Sequence, residues 1–445
     1  MKEFCPGRGV PLFCAELFPP NTSNSFAGMK LFFMGLSGVA VAAQLMAQPL
    51  PTSSLTAEGF DTDRFGRIQA LVQGHVEAGK YAGAVTLVAR HGKVVDCQAY
   101  GYRDLEAKLP MEPNTIVRIY SSTKVITGVA ALQLFEQGRF LLSDPITNWI
   151  PELANMKVCT GGTADNPTLE PARTNVTVRM LMNHTSGFSQ NDDYAPQPVR
   201  EIYERAKLWE SASIEEFIDK ASKLPLAAQP GKEFNYGISF NVLGLMIQRI
   251  SGESFDDYCA KHIFRPLGMK DTGFDVPPQK RGRLAKIYEA GPDGRLREVK
   301  AAFGVGVEAG RGWLGGGGGA FSTIVDYARF AQMLLNGGQL DGVRILGRKT
   351  VEFAFANSLS HLPRITHQFS DCEGWGLVSA VRVDLAKGDE LGTLGGFTWA
   401  GYATTDFLGD PKEQLLMLMF TQHVPYDKYL IIPRFHTAVY QALAD

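Results

Sequence analysis

The stretch Ser121-Ser122-Thr123-Lys124, with the apolar run Val125 to Phe135 after it, decides the fold of this chain. The apolar residues recur at intervals of three and four, and Gly138 stands where a C-terminal cap belongs, which predicts a helix. That helix is apolar nearly all round, so it is expected to be buried. Residues 116–120 before it are expected to be extended. The sequence therefore predicts that Ser121 lies where an extended segment enters a buried helix.

Ser121 and Lys124 have the residue types and the spacing of a nucleophile and its base. A serine in the first helical turn lies at the positive end of the helix dipole, which favours an alkoxide or an oxyanion there. A lysine three positions later projects from the same face. If that face is buried, desolvation lowers the pKa of the lysine, and a neutral amine can take the serine's proton. The alternative is a capping serine with a solvated lysine, which short Ser-x-x-Lys matches usually are.

The composition is that of an ordinary globular protein. Its 445 residues are 45% hydrophobic and 20% charged, enough for a large core and two lobes. A net charge of -2 without a basic block argues against nucleic acid as a partner. The six cysteines show neither Cys-x-x-Cys spacing nor clustering with histidine, so they predict neither a disulfide framework nor a zinc site.

The N-terminal residues predict processing rather than a folded domain. A charged start, an apolar run and small residues indicate a secretory signal peptide at 29–47, with cleavage after Ala43 or Ala47. A non-mature extension at 1–28 would precede it, and a linker at 48–60 would follow. The protein is then secreted or periplasmic, or cytoplasmic if the signal is not used. The alternative is a disordered tail, and no other stretch is long enough to span a membrane.

Strand patterns lie at both ends of the sequence and helical patterns lie between them. Strands are predicted at 83–89, 94–100, 375–383, 391–400 and 415–421. Helices are predicted from the cap Asp61 to Gly79, after Ser121, at 242–250 before Gly252, from the capping box at Thr323 to Gly337, and at 432–443. The fold class is therefore α+β, with an antiparallel sheet flanked by helices and an inserted all-helical lobe.

The predicted catalytic domain spans 61–445. Its α/β lobe comprises about 61–120 and 311–445, and its helical lobe about 121–310. A cleft between the lobes is the natural site, and Ser121 falls at their junction. The run Gly310 to Gly315 matches G-x-G-x-x-G but lacks the strand before it and the helix after it, so it does not indicate a dinucleotide site.

From about Phe65 onward the chain resembles the serine β-lactamase and penicillin-binding-protein superfamily. Within it, the chain is most similar to family VIII carboxylesterases, which have a class C β-lactamase-like fold. The resemblance rests on the Ser121 to Lys124 motif, on 178–188 with its His184-Thr185-Ser186-Gly187, on 229–236 and on 263–269. Ordered agreement over most of the chain is more specific than any single motif.

The resemblance places Tyr236 opposite the nucleophile. A phenol near a lysine ionises more readily, so it can act as base to Ser121 and then as acid to the leaving alcohol. β-Lactamases have Tyr-x-Asn here, whereas this chain has Tyr236-Gly237-Ile238. The missing amide argues against efficient β-lactam hydrolysis and leaves Ile238 in its place beside the substrate. Without the resemblance, a half-buried core tyrosine is the more common interpretation of Tyr236, and the resemblance reverses that preference.

The third motif of the resemblance is Trp399-Ala400-Gly401, where β-lactamases have Lys-Thr-Gly on an edge strand. Tryptophan removes a cation that would bind a carboxylate and leaves an apolar wall for a neutral acyl or alkyl group. Gly401 lets a substrate approach the strand backbone. The family's geometry implies an oxyanion hole made of the backbone N–H groups of Ser121 and Tyr402.

Other conspicuous residues are expected to be structural. His184 is a lone histidine in a turn, and its family counterpart is not the partner of the nucleophile. The five glycines at 315–319 favour a tight backbone passage near the cleft over a phosphate cradle. Trp149, Trp209 and Trp313 are expected to pack in the core.

The sequence thus predicts a serine carboxylesterase of short- to medium-chain esters that works through an acyl-Ser121 intermediate without metal or organic cofactor. Lys124 and Tyr236 share the proton transfers, and which of them is the base stays open. The alternatives are a β-lactamase or D-amino-acid peptidase, an esterase with weak activity on cephalosporins, an acyltransferase, and a catalytically silent cell-wall-binding relative. The expected partner is a small-molecule ester or, in the alternative, a β-lactam.

Overall fold

The computed structural model describes residues 49–190, 195–304, 315–362 and 371–445. The predicted extension and signal peptide lie outside the described residues, as do Trp313 and most of the glycine motif that begins at Gly310. Within the described ranges, no helix combines the length and the apolar character that crossing a membrane requires.

The fold combines short strands with α-helices, the first of which is 16 residues long. The strands are β1 (Gly83–Arg90), β2 (Lys93–Asp104), β3 (Leu109–Pro110), β4 (Val117–Arg118), β5 (Lys157–Gly162), β6 (Pro167–Pro171), β7 (Ile287–Ala290), β8 (Leu296–Val299), β9 (Phe321–Ser322), β10 (Gln339–Leu340), β11 (Val343–Arg344), β12 (Glu373–Trp375), β13 (Ala380–Arg382), β14 (Phe397–Gly401), β15 (Thr405–Asp410), β16 (Leu415–Thr421) and β17 (His423–Val424). The α-helices are α1 (Thr62–Glu77), α2 (Thr123–Glu136), α3 (Val178–Met182), α4 (Val199–Arg205), α5 (Ile214–Ser222), α6 (Ser239–Ser251), α7 (Phe255–Cys259), α8 (Ile324–Leu335), α9 (Arg348–Ala354) and α10 (Ile431–Tyr440).

One antiparallel sheet joins the two ends of the chain, in the order β12-β13-β14-β15-β16-β1-β2-β3. The hairpin of β1 and β2 turns at His91-Gly92, where both residues have positive φ, 51° and 76°. This is the backbone of a two-residue hairpin turn. The α+β class, the antiparallel sheet and this hairpin are confirmed.

Strand β1 is buried on both faces because helices cover both sides of the sheet. Val85, Leu87 and Ala89 belong to the main core on the side of α2 and α8. Ala84 and Val88 belong to a second core formed with α1 and α10. Successive strand side chains point to opposite faces, so one strand serves both cores.

The strands near the C-terminus differ from the prediction. The predicted strand 375–383 is two short strands, β12 and β13, and residues before Phe397 in the predicted strand 391–400 are irregular. Strand β15 was not predicted, because its aspartates and glycine are poor strand formers. Asp406 on β15 is nevertheless buried, since its carboxylate accepts a hydrogen bond from the His436 ring on α10 at 2.8 Å.

Two further regions depart from the prediction. The predicted all-helical lobe also contains the hairpins β5–β6 and β7–β8, whose strands are short and partly exposed. Residues 50–60, predicted to be a linker, form a strap on the sheet instead. Ser53 N–H donates to Val94 O at 3.0 Å, and Leu50 and Phe60 are buried. The linker prediction was wrong there because its scattered apolar residues have partners distant in sequence.

The helix predictions hold better, with one correction. The Thr323 hydroxyl accepts from Asp326 N–H at 3.2 Å and caps α8. The carboxylate of Asp326 does not complete a reciprocal capping box, because it accepts instead from Asp271 N–H at 2.7 Å and from the Thr272 hydroxyl at 3.0 Å. Asp326 thus ties the start of α8 to the loop that contains Asp271 and Thr272.

Candidate active site

Ser121 lies in a sharp turn between a strand and a buried helix. Strand β4 pairs with β9, a 3-10 turn spans Tyr120–Ser122, and α2 begins at Thr123. Ser121 therefore precedes the α-helix rather than lying in its first turn, a small correction to the prediction. Tyr120 has a positive φ of 41°, a conformation that costs a non-glycine residue energy and is concentrated at functional sites.

Lys124 brings the predicted catalytic residues together. Its side chain is buried, with 3% of the residue exposed, because α2 is surrounded by core. Its Nζ donates to Ser121 Oγ at 3.2 Å and to Gly317 O at 2.6 Å. The same nitrogen lies 4.6 Å from the centroid of the Tyr236 ring. Ser121, Lys124 and Tyr236 thus form one cluster, as the sequence predicted.

The glycine run supplies the second partner of the lysine. Gly316 O accepts from the Thr127 hydroxyl at 2.6 Å, one residue before the carbonyl that holds Lys124. A Cβ at Gly316 would lie 2.5 Å from Phe240 O, and one at Gly317 would lie 2.3 Å from Asn241 Oδ1. This run therefore passes between α2 and α6 where no side chain fits, as expected for a tight backbone passage. The sequence did not predict that the Gly316 and Gly317 carbonyls act as hydrogen-bond acceptors, because every residue has a backbone carbonyl.

The third motif lies at the end of β14, beside the turn of Ser121. The pairing of β14 with β13 ends at Thr398, so Trp399 to Gly401 pair only with β15 in the part of the chain that the structure describes. A Cβ at Gly401 would lie 2.3 Å from Ile119 O, and the Thr405 hydroxyl donates to the same carbonyl at 3.3 Å. The glycine thus allows the strand to touch the backbone just before Ser121.

The remaining predicted site residues differ in exposure. Trp399 and Ala400 are partly exposed, and Tyr402 is 38% exposed with its ring 5.7 Å from that of Tyr120. Ile238 is fully buried in the main core at the start of α6. Its side chain therefore packs in the protein interior, which does not support the predicted contact with substrate.

Three of the residues expected to be structural lie in or against the core. Trp149 and Trp209 pack against the main core. His184 is fully buried, its ring centroid 4.7 Å from that of Tyr236. Burial, together with the nearby Lys124 cation, lowers the pKa of His184 well below its usual value. Its imidazole is therefore neutral, and the expectation that it is not the nucleophile's partner agrees with its position behind the tyrosine.

The antiparallel sheet between helices, with a Ser-Lys pair at the mouth of a buried helix, is the architecture of serine β-lactamase-like enzymes. Residues 68–438 match the family model for β-lactamase, and the chain belongs to this family.

Three relatives show the range of that family. Protein Rv1367c of Mycobacterium tuberculosis is 33% identical over 365 residues, which are 80% of this chain and 90% of the relative. A lovastatin esterase of Penicillium rubens is 32% identical over 278 residues, 60% of this chain and 68% of the relative. The solved structure of simvastatin synthase from Aspergillus terreus superposes with a TM-score of 0.73 at 26% identity, covering 85% of this chain and 98% of that one. Together they make this a family of the hydrolase and acyltransferase type.

Proposed function

We propose that the protein is a serine carboxylesterase that hydrolyses short- to medium-chain esters through an acyl-Ser121 intermediate. The observation that carries the proposal is the 3.2 Å contact between Lys124 Nζ and Ser121 Oγ inside a buried cluster. A hydroxyl within hydrogen-bond reach of an amine, which is itself oriented by a third group, is the arrangement of an activated nucleophile. Here the orienting groups are the Gly317 carbonyl and the Tyr236 ring.

The proposed reaction has two steps. Ser121 Oγ attacks the ester carbonyl carbon while its proton passes to Lys124 or Tyr236, and the leaving alkoxide takes that proton as its bond to the acyl carbon breaks. Water then attacks the acyl-Ser121 carbonyl, gives its proton to the same pair, and releases the acid as Ser121 regains a proton. The backbone N–H groups of Ser121 and Tyr402 are proposed to hold the oxyanion in both steps.

An ester fits the site better than a β-lactam. Where β-lactamases place a lysine that would bind a carboxylate, this chain has Trp399, whose indole is partly exposed beside Tyr236 at a ring separation of 5.5 Å. Where they place an asparagine, it has the buried Ile238. Both changes remove polar partners for a charged bicyclic substrate, and the partly exposed Trp399 leaves apolar surface for a neutral acyl chain.

The test is a pair of neighbouring serines. Ser121→Ala should abolish turnover of p-nitrophenyl butyrate and labelling by a fluorophosphonate probe. Ser122→Ala is the matched control, because Ser122 is fully buried and its hydroxyl has no hydrogen-bond partner among the described residues, so activity should stay near wild type. Activity in Ser121→Ala close to that of Ser122→Ala would refute the assignment. Turnover of nitrocefin, measured in parallel with turnover of the ester, shows which of the two substrate classes the protein prefers.

Acyl transfer is the second candidate, favoured by the similarity to a synthase. An acceptor alcohol added to the assay should divert acyl groups from water in proportion to its concentration if the deacylation step accepts alcohols. We also propose that the protein acts outside the cytoplasm. Cell fractionation should find the protein outside the cytoplasm, and mass spectrometry should find that its chain starts after Ala43 or Ala47. A full-length protein confined to the cytoplasm would contradict this.

A further inference from the structure

Four aromatic rings form a closed circuit that includes Tyr236, the ring next to Lys124. The ring centroids of neighbours are 4.7 Å apart for Tyr236 and His184, 4.9 Å for His184 and Trp375, 4.4 Å for Trp375 and Trp399, and 5.5 Å for Trp399 and Tyr236. Tyr236 and Trp399 are partly exposed, whereas His184 and Trp375 are fully buried. The two buried rings therefore pack against the two that are partly exposed.

His184 is tied to the tyrosine by its backbone as well. Its carbonyl accepts from Asn235 N–H at 2.7 Å, one residue before Tyr236. A second hydrogen bond joins the same turn to the segment before Tyr236, since Thr185 O accepts from Gly231 N–H at 2.7 Å. His184 has a positive φ of 57°, a conformation that persists only where the surroundings enforce it. The turn thus fixes both the backbone and the ring that lie against Tyr236.

The imidazole contributes to this cluster as a flat, uncharged ring. Neither of its nitrogens has a hydrogen-bond partner among the described residues, although the residue is fully buried. Phe240 lies on it as well, with centroids 5.1 Å apart at an interplanar angle of 35°. Because the ring is enclosed by aromatic groups and is neutral, it adds no second positive charge beside Lys124.

We propose that His184 is a positioning residue, whose ring, held by Trp375, fixes the plane of the Tyr236 phenol over the Lys124 amine. This inference rests on the proposed function. A ring that rotates away would leave the phenol misplaced for proton transfer, and misplacement by about 1 Å can lower a rate roughly 100-fold. Binding of the ester would change little, because His184 lies behind the tyrosine and is fully buried.

The experiment compares His184→Leu and His184→Phe with a matched control, His423→Leu. His423 is also buried, and its ring packs at 5.0 Å from that of Tyr81, outside the candidate site. His184→Leu should lower kcat for p-nitrophenyl butyrate roughly 10- to 100-fold with KM within about twofold. His184→Phe should restore most of the loss, because it restores a planar ring. His423→Leu should lower the unfolding midpoint and leave kcat unchanged.

The pH profile separates positioning from proton transfer. The titratable groups that face His184 are Lys124 on α2 and Tyr236, while Phe240 on α6 and Trp375 on β12 carry no charge. Because burial holds the pKa of His184 well below its usual value, the acidic limb of kcat/KM should have the same midpoint in His184→Phe as in wild type. A lost or shifted limb would make His184 a proton carrier and overturn the proposal.

The rate of fluorophosphonate labelling of Ser121 gives a readout that does not depend on the ester chosen. Slower labelling in His184→Leu than in His184→Phe supports positioning. Equal kcat losses and equal labelling in His184→Leu and His423→Leu would overturn it, as would a folded His184→Phe as impaired as His184→Leu. Failure of the proposed function is seen separately, as activity that survives in Ser121→Ala.

Discussion

A methyl group added to Gly317 should disable the proposed catalytic lysine. In Gly317→Ala the new Cβ would lie 2.3 Å from Asn241 Oδ1, whereas ordinary contacts begin at 3.4 Å. The backbone or the asparagine must therefore move by about 1 Å. Asn241 is only 2% exposed, so its side chain cannot swing into solvent and the glycine backbone is expected to shift.

The size of the effect follows from the bond that is lost. Lys124 Nζ lies 2.6 Å from Gly317 O, and a shift of about 1 Å stretches this contact beyond hydrogen-bond range. A hydrogen bond to a charged group contributes about 1.5–3 kcal/mol. Since 1.4 kcal/mol corresponds to a factor of ten in rate, kcat should fall about 10- to 100-fold. Overpacking should also lower the free energy of unfolding by about 1–3 kcal/mol.

The assay is steady-state turnover of p-nitrophenyl butyrate together with urea unfolding. Gly66→Ala is the control, because Gly66 lies in α1 and a Cβ there meets nothing within 4 Å. That variant should keep wild-type kcat and gain slightly in stability, as expected for alanine in a helix. In the double variant Gly317→Ala/Asn241→Ala the clash is removed, so kcat should partly recover. Wild-type kcat and stability in Gly317→Ala would refute the reasoning.

Two further predictions concern charge. Asp406 raises the pKa of His436 to about 10 although burial opposes the charge, and His436 lowers the pKa of Glu390 to about 2 although burial acts in the opposite direction. The contribution of His436 to the free energy of unfolding is complete below about pH 6.5 and is lost as pH rises towards 10. The contribution of Glu390 is complete above about pH 4.5 and is lost as pH falls towards 2. Urea unfolding of His436→Asn should therefore lack the decline between pH 6.5 and 10, and an unchanged decline would contradict the assignment. Trp399→Lys should raise the ratio of nitrocefin to ester turnover roughly tenfold, since it restores a cation for a carboxylate; an unmoved ratio would argue that the tryptophan does not face the substrate.

The features that the sequence predicted correctly are local ones. The apolar period of α2, the spacing of Ser121 and Lys124, and the turn at His91-Gly92 each involve residues within one or two turns of each other. Local geometry follows from such short patterns, because a helix or a two-residue turn fixes the relative directions of neighbouring side chains.

The features that were missed depend on partners far away in the chain. Gly317 O accepts a hydrogen bond from Lys124, which is 193 residues away in the sequence. Because every residue has a backbone carbonyl, the residue type gives no indication that this one is the acceptor. Strand β15 contains Asp406, a residue type that disfavours strands. Here it is stabilised by a hydrogen bond with His436 on α10, 30 residues further along the chain. Ile238 looked like a substrate contact by its position in a motif, but the start of α6 buries it in the core.

The strap at residues 50–60 limits how far the N-terminus of the protein can be shortened. Val94 N–H donates to Pro51 O at 2.8 Å, and the buried Glu58 accepts from Lys93 Nζ at 2.8 Å, so the strap covers the start of β2. Removing it would bare a strand edge open to pairing with another molecule. A shortened protein prepared for crystallisation should therefore begin before Leu50. If it began at the first helix, the exposed edge of β2 would favour aggregation.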